Sequence, residues 1–134
     1  MPRVFVDTAA WVALLNTRDE IHQSAKSKMD ELRHMNSQLV TTELILLELA
    51  NMFCAVSWRS RVTRFVDGLR QIPNIQVIDP DALLESGWKL FRSRPDKDWS
   101  LTDCTSIFLM EAERIELVLS SDHHFEQAGF TKLL

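Results

Sequence analysis

The sequence predicts an α/β fold, a three-layer α/β/α sandwich around a central, mostly parallel sheet of about five strands. Three observations predict it. Candidate strands alternate with candidate helices along the whole chain. The strands are continuous apolar runs, as expected of strands covered on both faces. A chain of 134 residues, 46% hydrophobic and 25% charged, suits a single globular domain over residues 1–134.

Val4-Phe5-Val6 reads as a buried strand. It ends at Asp7-Thr8, two good helix-capping residues, and Ala9 to Leu15 reads as helix. Asp19 to Met35 is a second helix, with Ile21, Ala25, Met29 and Leu32 on one stripe. Gln38 to Thr41 reads as strand, Thr42 to Ser57 as an apolar helix, and Arg59 to Ile72 as a more basic one. Ile75 to Ile78 is a strand, followed by a helix from Asp79-Pro80 to Phe91. Ser93 to Asp98 is the clearest loop. Ser100 to Glu113 reads as helix, Glu116 to Ser120 as strand, and Phe130 to Leu133 as a short last strand.

The formal net charge of −4 argues mildly against a nucleic-acid binder, although a local basic patch matters more than the sum. Cys54 and Cys104 fall in predicted helices without a CxxC partner, so a reduced, cytoplasmic setting is expected. The charged N-terminus does not resemble a signal peptide, and no apolar run approaches the ~18 residues of a membrane span.

Four carboxylates carry the candidate chemistry. Asp7 and Asp122 each follow a predicted strand, and open parallel sheets bind ligands at the carboxyl ends of strands. Asp7 could equally be a helix cap. Glu48 sits in the apolar run Leu44 to Ala50, where an unpaired carboxylate is costly, so a salt bridge is its alternative. Glu43, in a first helical turn, is assigned a structural role. Asp103 fits the last place of a capping box begun by Ser100. Asp122 could cap a short turn through His123-His124-Phe125.

Each alternative is respectable alone, but four carboxylates on four elements would each need a separate one. Gathered together they repel unless neutralised, and Mg²⁺ or Mn²⁺ is the usual neutraliser of an all-oxygen site. Zinc is disfavoured, because the adjacent His123 and His124 are expected to point apart. Carboxylate-held Mg²⁺ characteristically acts on phosphates.

Four stretches resemble the PIN-domain family, in particular the VapC-type toxin nucleases of VapBC toxin–antitoxin pairs. They are Val4 to Trp11; Thr41-Thr42 followed by Glu48; Ser100 to Cys104; and Ser121 to Phe125 with Gly129-Phe130 behind. The resemblance implies a Rossmann-like sandwich with a five-stranded parallel sheet and metal-dependent ribonuclease activity. It puts Asp7, Glu48, Asp103 and Asp122 at the acidic ligand positions and Thr8, Thr102 and Ser121 at polar supporting ones. Asp7 and Asp103 would hold the metal directly and Glu48 directly or through water. Asp122 would orient a water or a second metal, and its position is dispensable in some members. The resemblance also implies a homodimer and a small antitoxin that blocks the site.

RNA needs basic contacts. Arg59, Arg61 and Arg64 beside Trp58, and Arg94 and Lys97 in the loop before Asp103, are the candidates, with a solvated helix face as the alternative for the first three. Trp11, Trp88 and Trp99 read as core or interface. Asp96 and Asp98 add acid nearby.

Two other functions compete. A phosphatase of the haloacid-dehalogenase type needs a second Asp two residues after the first, where this chain has Ala9. A non-catalytic binding module on a PIN scaffold is opposed by the intact acidic set.

Overall fold

A computed structural model describes residues 2–134. The elements in order are β1 (Arg3–Val6), α1 (Thr8–Leu15), α2 (His22–His34), β2 (Gln38–Thr42), α3 (Glu43–Met52), α4 (Val56–Arg70), β3 (Ile75–Ile78), α5 (Leu83–Ser93), α6 (Leu101–Ala112), β4 (Leu117–Leu119), α7 (His124–Gln127) and β5 (Thr131–Lys132). The strands form one sheet in the order β3-β2-β1-β4-β5, and every pairing is parallel. Val4, Phe5 and Val6 are all fully buried. Successive strand residues point to opposite faces, so the central strand is covered on both sides, as in a three-layer sandwich.

Helix ends depart from the sequence expectation for local reasons. α2 and α6 each stop one residue before the expected end, and the second residue beyond each lies in the left-handed region. Asn36 (φ 54°) and Arg114 (φ 55°) allow Ser37 N to donate to Leu32 O and Ile115 N to donate to Met110 O. These are Schellman closures made without glycine, and each turns the chain toward the next strand. The helix expected from Thr42 to Ser57 ends at Met52, and Val56 and Ser57 belong to the next helix instead. Phe53 buries its ring against Trp58, with centroids 4.8 Å apart, and α4 restarts at Val56. Cys54 therefore lies in an exposed turn rather than a helix, whereas Cys104 is buried in α6. α5 begins at Leu83, after a turn in which Pro80 O accepts from Leu83 N and Leu84 N.

Two features place the elements that bear the carboxylates. Trp11 Nε1 donates to Thr41 Oγ1 at 3.1 Å, and Thr41 Oγ1 donates to Val6 O at 3.0 Å. This buried chain ties α1 and β2 to the residue just before Asp7. Gly87 of α5 lies against α6 so closely that a Cβ there would stand 2.4 Å from Thr105 Cγ2. At the start of α3, the Thr42 hydroxyl accepts from Ile45 N, and Glu43 forms a two-pronged pair with Arg70 at 2.6 and 2.8 Å. That pairing holds the Glu43 carboxyl below its usual range and accounts for its structural role.

Candidate active site

The chain runs outward from β1 through β2 to β3, then returns to place β4 on the other side of β1. Strand order therefore reverses between β1 and β4, and the carboxyl ends of these strands carry Asp7 and the segment Ser120-Ser121-Asp122. Asp7 N donates to Leu119 O at 3.2 Å, which fixes the two strand ends side by side. A cleft of about 470 Å³ opens there. Asp7, Glu48, Asp103 and Asp122 all line it, together with Thr8 and Ser121. Asp19 and Glu20, from the α1–α2 connection, line it too. The described lining thus holds six carboxylates and no Lys or Arg.

All three aspartates of the set are held by hydrogen bonds, and Asp103 and Asp122 each keep one oxygen free among the described residues. Asp7 Oδ2 accepts from Ser120 Oγ at 3.0 Å. Asp103 Oδ2 accepts from Ser100 N at 3.1 Å, while Ser100 Oγ accepts from Asp103 N, completing a capping box at the start of α6. Asp122 Oδ1 accepts from His124 N at 3.0 Å, and Asp122 N donates to Ser120 Oγ at 3.0 Å. The second oxygens of Asp103 and Asp122 take no donor among the described residues. Glu48 is half-buried on α3 and also borders a neighbouring groove with Thr102. Thr102 itself does not line the acidic cleft; its carbonyl accepts from Thr105 Oγ1.

Asp7 is 4% exposed, and its pKa is pushed up to about 7. Burial is the main cause, and the charges of Asp103 and Glu48 add to it, against hydrogen bonds from the Thr8 backbone and Ser120. Asp7 therefore feels the charge of carboxylates on two other elements. A cation between them would relieve both burial and repulsion.

The donor set fits such a cation. Thr8 Oγ1 is buried without a hydrogen-bond partner among the described residues, and the unclaimed aspartate oxygens supply hard ligands. An all-oxygen set suits Mg²⁺ or Mn²⁺.

Sequence reasoning passed over Ser120 and His124. Ser120 rather than Ser121 contacts Asp7, and the Ser121 side is exposed. His123 and His124 do not point apart: their ring centroids are 4.5 Å apart, and with Asp122 they offer donor atoms within 4.8 Å of one another. His124 Nδ1 lies 3.0 Å from Asp103 Oδ2 and 3.3 Å from Asp122 Oδ1. The readable signal was the spacing Ser-x-Asp-x-His, in which each polar side chain accepts from the backbone two residues on.

None of the five basic candidates lines the cleft. Arg59 and Arg61 donate to the carbonyls of Cys54 and Ser57, and Arg61 stacks 3.8 Å over Trp58. Arg64 borders a separate apolar pocket with Trp11 and Phe65. Arg94 is paired through two bonds to Asp96, whose carboxyl it holds at about 2, and Lys97 lies 5.9 Å over Trp99. Asp96 and Asp98 are exposed and outside the cleft lining.

The PIN domain model matches residues 4–131. The chain belongs to the PIN domain family. Among its PIN relatives is the 23S rRNA-specific endonuclease VapC20 of Mycobacterium tuberculosis, represented in strains CDC 1551 and H37Rv. It is 28% identical over 134 residues, covering 97% of each chain. The crystal structure of M. tuberculosis VapC20, a Sarcin-Ricin loop cleaving toxin, superposes with a TM-score of 0.81 at 24% identity over 96% of both chains. VapBC2 of Rickettsia felis, bound to a promoter DNA fragment, superposes at 0.73 with 13% identity over 97% of this chain and 96% of that one. These two structures share the PIN fold. No described helix is long and apolar enough to cross a membrane.

Proposed function

We propose that this PIN domain is a divalent-metal-dependent ribonuclease that hydrolyses RNA phosphodiester bonds, acting as the toxin of a toxin–antitoxin pair in the cytoplasm. One observation carries the reading: Asp7, Glu48, Asp103 and Asp122, from four separate elements, line one cleft at the point where strand order reverses. The name of the VapC20 relative supports RNA as the substrate class.

Asp7 and Asp103 would hold Mg²⁺ or Mn²⁺ through their carboxylates, with Glu48 and Asp122 completing the acidic wall. Bound there, the ion supplies activation of water and charge stabilisation at the scissile phosphate. The protein's own contribution is positional. Ser120 fixes Asp7, the capping box fixes Asp103, and Thr8 presents a hydroxyl without a competing partner. RNA would be gripped outside the acidic cleft, by phosphate contacts from Arg59, Arg61, Arg64, Arg94 and Lys97.

Two partners fit the surface. A basic residue of an antitoxin, entering the all-acidic cleft, would neutralise it between uses. A second copy of the chain would cover the stripe of Leu84, Trp88 and Phe91 on α5, each about 40% exposed and spaced four and three residues apart.

The test is cleavage of a labelled RNA with Mg²⁺ or Mn²⁺, with and without EDTA, for wild type, Asp7→Asn and Asp103→Asn. EDTA-sensitive cleavage lost in both variants is the expected result. Metal-independent cleavage, or full activity in both variants, would remove these residues from the chemistry.

A further inference from the structure

We propose that His124 is a positioning residue of the acidic cleft: its Nδ1–H bridges Asp103 Oδ2 and Asp122 Oδ1 and leaves their other oxygens for the metal. The inference rests on the nuclease reading above and names a residue that reading does not use.

The geometry is specific. Nδ1 lies 3.0 Å from Asp103 Oδ2 and 3.3 Å from Asp122 Oδ1. Asp103 Oδ2 already accepts from Ser100 N, and Asp122 Oδ1 from His124 N, so both oxygens act as acceptors. The hydrogen between them must therefore sit on Nδ1. The contact joins two chain segments that otherwise reach the cleft independently, the first turn of α6 and the turn after β4. Ser120 makes the corresponding link between Asp7 and Asp122. Ser120 and His124 together thus connect all three aspartates, and the His124 links leave the second oxygens of Asp103 and Asp122 open.

The ring is well supported. The His124 side chain is 18% exposed, and the next residue, Phe125, is fully buried with its ring 6.4 Å from that of Phe5 in β1. Substitution at position 124 leaves that anchor in place. Donors that orient a metal's carboxylate ligands typically account for 10–100-fold in metal affinity or activity.

The experiment compares wild type, His124→Ala, His124→Asn and His124→Gln by Mn²⁺ calorimetry, metal-free melting and steady-state RNA cleavage. Asn places an amide nitrogen where Nδ1 stood; Gln places it near the Nε2 position instead. His124→Ala and His124→Gln should weaken Mn²⁺ binding about 10–100-fold and lower kcat with little change in KM, because RNA is gripped elsewhere. His124→Asn should restore most of both losses. If His124→Ala fails to fold, the Asn and Gln pair carries the comparison. Wild-type Mn²⁺ affinity in all folded variants overturns the positioning role while leaving the nuclease reading intact. Equal losses in Asn and Gln also overturn it, in favour of a requirement for the whole imidazole. Absence of Mn²⁺ binding and cleavage in the wild type overturns both.

Discussion

Ser100 and Asp103 cap each other's backbone, with Ser100 Oγ accepting from Asp103 N at 2.9 Å and Asp103 Oδ2 accepting from Ser100 N at 3.1 Å. Only one oxygen of Asp103 is used. Helix capping therefore leaves the other oxygen open to the metal of the proposed function, so the two uses need not be rival explanations of this carboxylate.

The two uses separate on mutation. Ser100→Ala removes an N-cap hydroxyl and should cost about 0.5–2 kcal/mol, with cleavage retained at temperatures where the protein is folded. Asp103→Asn keeps an acceptor for Ser100 N while removing a charge that opposes Asp7. Its metal-free stability should equal or exceed that of wild type, its stabilisation by Mg²⁺ should shrink, and cleavage should be lost. Melting curves with and without Mg²⁺, alongside an RNA assay, check both. A destabilised but fully active Asp103→Asn would return this residue to the helix cap alone.

Asp7 makes metal-free stability depend on pH. The unfolded chain releases this proton near 3.8 and the folded one near 7. Between those values the folded state holds the extra proton, so rising pH costs stability, and the loss is complete above about 7. The shift corresponds to roughly 4 kcal/mol, an order-of-magnitude figure. Asp7→Asn, which can still accept from Ser120, should be more stable than wild type in EDTA at pH 8, with the gain vanishing near pH 4. Urea unfolding across that range measures it. A constant difference between the two proteins would detach Asp7 from the effect.

On the proposed function the same proton competes with the metal. Metal binding requires the ionised carboxylate, so Mn²⁺ affinity should fall about tenfold per pH unit below 7 and level off above it. Calorimetry at pH 6, 7 and 8 reads this directly. Affinity independent of pH in that range would mean that Asp7 is not a ligand.

Gly87 predicts a structural effect on the same site. An alanine there meets Thr105 Cγ2 at 2.4 Å, and Thr105 lies on α6 two residues after Asp103. Gly87→Ala should destabilise by about 1–3 kcal/mol, as overpacked cores do. It should also weaken Mn²⁺ binding as α6 moves. Thermal melting together with calorimetry tests the pair of effects.

Much of this was legible in the sequence because its signals are local. Apolar runs marked the strands, and Asp7 and Asp122 followed them directly, so their placement at one sheet edge needed only the α/β pattern. The capping box was readable from Ser100 and Asp103 alone. What was not legible depends on backbone geometry. Asn36 and Arg114 end helices by adopting positive φ, which residue identity does not announce. The break after Met52 depends on Phe53 packing onto Trp58. His124 is not legible because adjacency alone suggests that its ring points away from that of His123. The one-turn helix that begins there brings the two rings together instead.

The pairing of β1 with β4 also bears on how the molecule is made. Ser120 and Asp7 touch across 113 residues of sequence. As the chain leaves the ribosome, β1 can pair with β2 early, but its other edge stays open until nearly all of the domain has been synthesised. Throughout that interval the growing polypeptide lacks Asp122, Ser120 and His124. The acidic cleft therefore cannot be completed until the final stretch emerges. The same delay exposes an apolar strand edge, Val4 to Val6, which is prone to intermolecular pairing. Ribosome-arrested chains ending before β4 should accordingly be inactive and more aggregation-prone than the finished protein.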